Sequence, residues 1–187
     1  MRFAKSVSSM DQPNERKIHT HPIPRLGGIA IYISFFISLV IALYLDGPTN
    51  PLSSMDSHVG IMLVLSLTIV LILGIWDDIR SISPGRKILG QLVAATIVYF
   101  SGFRISAITH PLNLDLLNLG IFDYPVTMLW IVGITNAFNL IDGLDGLAPG
   151  IALIVSLTIS SISFLKGDIT TAVMALLLAG AVLIPPL

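Results

Sequence analysis

The sequence predicts an all-α polytopic membrane protein, with about six transmembrane helices and a short external hairpin, forming part of a larger helical bundle. Three observations carry that prediction. Of the 187 residues, 54% are hydrophobic and only 11% charged, against about 25% charged in a typical soluble domain. The apolar residues gather in runs close to the roughly 20 residues a helix needs to cross a bilayer. Lysine and arginine concentrate in alternate connections between those runs, the pattern that sets orientation in a membrane. The same figures exclude other classes. There is no cysteine for a disulfide scaffold. A net charge of −1 gives no footprint for nucleic acid, and a mean hydropathy of +0.89 is the opposite of a disordered composition.

A single partial transmembrane domain over residues 1–187 accounts for the runs, opening with a cytoplasmic segment over 1–26. Runs 27–45 and 59–76 contain no charge. Run 88–103 is shorter, and the flanking Lys87 and Arg104 have stems long enough to snorkel toward the headgroups. Run 124–141 carries Asn136 and Asn139 near its end, and 147–165 and 169–185 complete the set. Any one run is compatible with a buried helix of a soluble protein; six with so few charges between them are not. A cleavable signal peptide is not expected, because about 26 mostly polar residues precede the first run.

Orientation follows from the cations. Arg2, Lys5, Arg16, Lys17 and Arg25 precede the first run, and Arg80, Arg86 and Lys87 follow the second. The alternate connections hold only Arg104 and Lys166. The basic side is therefore assigned to the cytoplasm, together with the stretches around Asp77 and Asp142. Residues 46–58 and 104–123 fall outside, and the alternation in the latter around His110, Asn113 and Asn118 predicts a hairpin.

Carboxylates beside a bilayer are costly and mark function. Asp77 and Asp78 stand at the end of the second helix, where the helix dipole and their mutual repulsion both disfavour them. A cation would offset both penalties, although solvated turn acids are the plainer alternative. The next helix opens Ser83-Pro84-Gly85-Arg86-Lys87, with serine suited to the cap and proline to the first helical position. Lys87 and Gln91 then share one face. A cation at a helix start suits an anionic ligand, and an interfacial lysine is the equal alternative.

The most informative string is Asn136-Ala-Phe-Asn139-Leu-Ile-Asp142-Gly-Leu-Asp145-Gly-Leu147. Amides and carboxylates recur at every third residue, across one broad helical face. Hard oxygen donors of this kind suit Mg²⁺, which keeps several waters and bridges to substrate phosphates. Calcium-loop spacing is absent, and interhelical packing of asparagines explains one amide but not the string. Lys17, His19, Arg25 and Gly28 lie ahead of or at the first helix on the same side. The paired glycines there allow either tight packing or close approach of a phosphate.

Together these residues resemble the polyprenyl-phosphate N-acetylhexosamine-1-phosphate transferase family. The segments 11–19 and Pro24-Arg25-Leu26-Gly27-Gly28 look like its first cytoplasmic segment. Asp77-Asp78, Ser83-Pro84, Lys87 and Gln91 are similar to its double-aspartate motif. Residues 136–147 match its asparagine–aspartate motif position by position. The Pro-Arg-Leu-Gly-Gly wording is more similar to members that use UDP-GlcNAc.

The resemblance implies transfer of GlcNAc 1-phosphate from UDP-GlcNAc to undecaprenyl or another polyprenyl phosphate with release of UMP, initiating cell-envelope glycan synthesis. It places the protein in a prokaryotic plasma membrane with a cytoplasmic active site, and it is compatible with a homodimer. Asn139 and Asp142 would hold Mg²⁺, with Mn²⁺ as the alternative. Asp77, Asp78, Lys87 and Asp142 are the implied catalytic residues, and Lys17, His19, Arg25, Gly28, Gln91, Asn136 and Asp145 the implied substrate contacts. The alternatives are a UDP-MurNAc-pentapeptide phosphotransferase and a non-enzymatic transporter fragment. Family members have about ten helices and later metal and nucleotide segments, so the chain is expected to be a fragment, inactive unless the remainder is supplied.

Overall fold

A computed structural model describes residues 27–45, 52, 55–110, 112, 114–142 and 147–183. It also describes two short antiparallel strands, β1 (Met10–Asp11) and β2 (Ile23–Pro24). Six α-helices follow among the described residues: α1 (Gly27–Leu45), α2 (Ser57–Arg80), α3 (Pro84–Phe100), α4 (Asp123–Ile141), α5 (Leu147–Leu165) and α6 (Ile169–Val182). Between α3 and α4 lies a hairpin of β3 (Ala107–Thr109) and β4 (Leu116–Asn118), then a 3₁₀ turn at Gly120–Phe122. Among the described residues, four stretches are long and apolar enough to cross a membrane: Gly27–Tyr44, Ser57–Arg80, Gly120–Ile141 and Leu147–Leu165. The architecture is that of an all-α, multi-pass membrane protein.

Helix ends are set by local chemistry and not by the limits of the apolar runs. The second helix runs beyond its apolar run through Asp77 and Asp78, as their predicted place at its end requires, and reaches Arg80. It stops where Ser81 turns left-handed at φ 43° and its N–H closes onto the Asp77 carbonyl at 2.8 Å. The third begins at Pro84, as the Ser83-Pro84 signal predicts, because proline presets the helical φ at the first position. Ser83 stands at the cap, but its side chain makes no capping bond. That helix ends at Phe100 instead of 103, since Gly102 adopts φ 101°, a conformation glycine takes without strain.

The chain divides into two compact units: Met1–Asp56, Gly74–Ser81 and Leu140–Leu187 form one, Ser57–Leu73 and Ile82–Asn139 the other. In the first, α6 packs against both α5 and α1. Ala148, Ser156, Ala172 and Ala179 are buried there; small residues let helix backbones approach where lipid supplies no hydrophobic drive. Ser160 Oγ donates to the Ala172 carbonyl at 2.9 Å. Gly167, at φ 78°, closes α5, and Asp168 opens α6 by accepting the Thr171 N–H at 3.0 Å.

In the second unit, Ser66 Oγ donates to the Ala94 carbonyl at 3.2 Å, linking α2 to α3. Gly90 packs closely against the same neighbour helix: a Cβ there would lie 2.5 Å from Leu73 Cδ1, so the end of that side chain would have to turn aside. The hairpin pairs Ala107 with Asn118 and Thr109 with Leu116.

Candidate functional site

Helices α3 and α4 are joined through side chains at both ends. At one end, Lys87 Nζ donates to Asn139 Oδ1 at 2.8 Å. One turn along, Asn136 Nδ2 donates to Gln91 Oε1 at 2.7 Å and to the Val132 carbonyl at 2.8 Å. The spacing explains the pairing. Lys87 and Gln91 lie four apart and Asn136 and Asn139 three apart, so each pair occupies one stripe of its helix.

The chemistry also fixes the amides. An ammonium has only protons to offer, so Asn139 must present its oxygen; the Val132 carbonyl only accepts, so Asn136 must present its nitrogen. Gln91 is 5% exposed, and its bond to Asn136 satisfies an oxygen that is expensive to bury alone. Asn139 is exposed and Lys87 half-buried. The result is a cation and an oriented amide at the accessible end of a helix pair, backed by a buried polar rung.

The remaining residues singled out from sequence are distributed as follows. Asp77 and Asp78 are half-buried in the last turn of α2, within the first unit. Asp142 is exposed directly after the end of α4. Gly28 is exposed in the first turn of α1, and a Cβ there would meet nothing within 4 Å. Tight packing is thus not its role among the described residues. Lys17, His19, Arg25 and Asp145 lie outside the described residues. The second unit brings together Lys87, Gln91, Asn136 and Asn139.

Among the described residues no three of His, Cys, Asp and Glu gather into a metal-holding group. The donors on offer to a metal are hard oxygens, the Asn139 amide and the Asp142 carboxylate. By type, oxygens of this kind are ones magnesium takes, with water completing its shell; Asn139 closes the second unit and Asp142 belongs to the first.

Sequence reading missed a second cluster at the other end of α3 and α4. Tyr99 Oη donates to Asp123 Oδ1 at 2.7 Å, and Arg104 pairs with Asp123 Oδ2 at 3.8 Å. The Arg104 guanidinium stands 6.0 Å from the centre of the Tyr99 ring. Thr127 Oγ1 donates to the Asp123 carbonyl at 2.6 Å and accepts from the Ile105 N–H at 3.0 Å. Its signal in the sequence was a lone acid, Asp123, just ahead of an apolar run and next to Tyr124.

Fold and site together define a multi-pass helical membrane protein with a polar, cation-bearing cluster at one end of a helix pair. Residues 60–185, most of α2 and all of the later helices, match the sequence family described as Glycosyl transferase family 4. The chain belongs to that family. It is 36% identical over 182 residues to a Bacillus subtilis protein named "Probable undecaprenyl-phosphate N-acetylglucosaminyl 1-phosphate transferase", covering 97% of this chain and 48% of the relative. It is 32% identical over 158 residues to the Thermotoga maritima "Undecaprenyl-phosphate alpha-N-acetylglucosaminyl 1-phosphate transferase", covering 84% and 44%. A Clostridium botulinum "Phospho-N-acetylmuramoyl-pentapeptide-transferase" is 31% identical over 170 residues, covering 86% and 49%. The chain spans about half the length of the curated relatives it matches. No solved structure matches it.

Proposed function

We propose that these residues form part of an enzyme that transfers GlcNAc 1-phosphate from UDP-GlcNAc to a polyprenyl phosphate, at the cytoplasmic face of a prokaryotic plasma membrane. The observation that carries the reading is the bond between Lys87 and Asn139, 52 residues apart in the chain. It joins the segment after the aspartate pair to the two asparagines that open the asparagine–aspartate string, in a cluster whose charge and donors suit phosphate. The names of the Bacillus and Thermotoga relatives favour UDP-GlcNAc over the muramoyl-pentapeptide donor.

In that reaction an oxygen of the lipid phosphate attacks the β-phosphorus of the nucleotide sugar. The bond from that phosphorus to the bridging oxygen breaks, and UMP leaves with the electron pair. Lys87 meets the phosphate oxygens as a point charge. Asp77 and Asp78 orient the acceptor phosphate; little base strength is needed there, since a phosphate monoester is largely ionised near neutral pH. Gln91 acts through Asn136, because its amide is buried. Lys17, His19, Arg25, Gly28 and Asp145 supply further substrate contacts. Magnesium, or manganese in its place, held by Asn139 and by Asp142 three residues on, would neutralise the diphosphate.

The proposal assigns activity to these residues together with the length that the relatives have beyond them. Its test is a donor comparison in membranes carrying the longest reading frame that contains the chain. Labelled UDP-GlcNAc is expected to give organic-extractable lipid product, and labelled UDP-MurNAc-pentapeptide none. Label entering lipid only from the pentapeptide donor would overturn the choice of sugar, and label from neither would overturn the transferase reading.

A further inference from the structure

The hairpin between α3 and α4 is a two-stranded sheet that leaves large apolar side chains uncovered. Leu112 is 89% exposed, Leu114 76%, Ile121 86% and Phe122 63%. Isolated two-stranded hairpins are marginal in water, and an apolar surface of this kind marks a contact with a partner or a membrane. The first two residues lie at the tip, where the His110 N–H closes onto the Asp115 carbonyl at 2.8 Å and the Leu114 N–H onto the His110 carbonyl at 3.0 Å. The other two lie at the base, in the 3₁₀ turn.

Three observations identify the occupant as lipid. The base is continuous with a membrane span, since the apolar stretch Gly120–Ile141 includes the 3₁₀ turn. The Tyr99 and Tyr124 rings meet edge to face at 5.0 Å. The Tyr99 hydroxyl bonds to Asp123 and the Tyr124 hydroxyl to Thr96, as amphipathic rings do at the level of the headgroups. Arg104, half-exposed beside Asp123, places a cation at the same level, where its stem can lie along apolar surface and its head in the polar layer. The hairpin therefore leaves the helices at the membrane boundary.

We infer that the hairpin lies along the bilayer interface instead of standing up into water, with Leu112 and Leu114 at the tip and Ile121 and Phe122 at the base all in contact with lipid.

The absence of native cysteine allows a clean test. Single substitutions Leu112→Cys, Leu114→Cys, Ile121→Cys and Phe122→Cys are labelled with a nitroxide in phosphatidylcholine–phosphatidylglycerol vesicles, beside Asp115→Cys and the mid-helix Ile134→Cys as references. Accessibility to oxygen relative to a water-soluble nickel chelate is expected to be several-fold higher at all four positions than at Asp115. It should be lower than at Ile134, with tip and base at similar depth. Preference for the nickel chelate at the tip overturns the inference in favour of water. Low accessibility to both reagents overturns it in favour of burial by protein, whether a second copy, a partner or further chain. Hydroxyl-radical footprinting of the unsubstituted protein in the same vesicles guards against disruption by the label. Modification of the hairpin leucines is expected to be several-fold below that in detergent-free aqueous peptide, and equal modification contradicts the inference.

Discussion

Lys87 and Asn139 stand on antiparallel helices with Nζ and Oδ1 2.8 Å apart, and that contact orients the one amide oxygen at the accessible end of the pair. Removing the ammonium removes both the charge available to phosphate and the constraint on the amide. Lys87→Met is therefore expected to lower transfer by about 100-fold, the size of effect seen when one charge-stabilising donor is deleted. Lys87→Arg is expected to recover only part of it, because a planar fork does not replace a compact point charge. Initial rates with membrane insertion held equal check this; full activity in Lys87→Met contradicts it.

The buried rung behind that contact predicts an asymmetry. Gln91→Leu leaves Asn136 Nδ2 its bond to the Val132 carbonyl, so about 1 kcal/mol is expected to be lost. Asn136→Leu instead leaves the buried Gln91 amide without its partner, and about 1–3 kcal/mol is expected. Unfolding in detergent by denaturant titration measures both, and equal costs would contradict the assigned bond.

Contact between Gly90 and Leu73 gives a compensating pair. Gly90→Ala brings a methyl to within 2.5 Å of Leu73 Cδ1; the end of that side chain must turn aside, and a cost of about 1 kcal/mol, the low end for overpacking, is expected. The Leu73→Ala change in the same chain is expected to relieve most of it. Thermal stability of the two single variants and the double variant reads the coupling, and additive losses would argue against close packing there.

How far the sequence carried the fold depends on the kind of signal. Hydropathy located the helical intervals and the period-two stretch located the hairpin, because both are local properties of the chain. The Asp77–Asp78 pair and Ser83-Pro84 marked the end of α2 and the start of α3, whereas the end of α3 at Phe100 turns on Gly102, a backbone event that an apolar count does not register. The spacing of Lys87 and Gln91 revealed a shared face, but their partners Asn136 and Asn139 depend on packing between elements some 50 residues apart. The Tyr99–Asp123–Arg104 cluster was hidden for the same reason, with each member reading singly as an ordinary boundary residue.

A titration effect follows from the turn between α5 and α6. The hydrogen bonds from Thr171 hold the Asp168 carboxyl below its ordinary value of 3.8. A carboxylate with a depressed folded-state pKa adds stability that is complete above the unfolded value and is lost as pH falls through the folded one. The stability difference between the wild-type protein and Asp168→Ala is thus expected to be constant near neutrality and to shrink below about pH 4. A difference that persists unchanged in acid would contradict a charge-assisted cap.

The most direct test of the transferase account is the Asp142→Asn change in the longest reading frame containing these residues. Labelled GlcNAc 1-phosphate transfer into lipid is followed with and without Mg²⁺. The account predicts magnesium-dependent product in the wild type and none in the variant, with both proteins equally inserted in the membrane. Undiminished transfer by Asp142→Asn, or transfer indifferent to divalent cation, would contradict it.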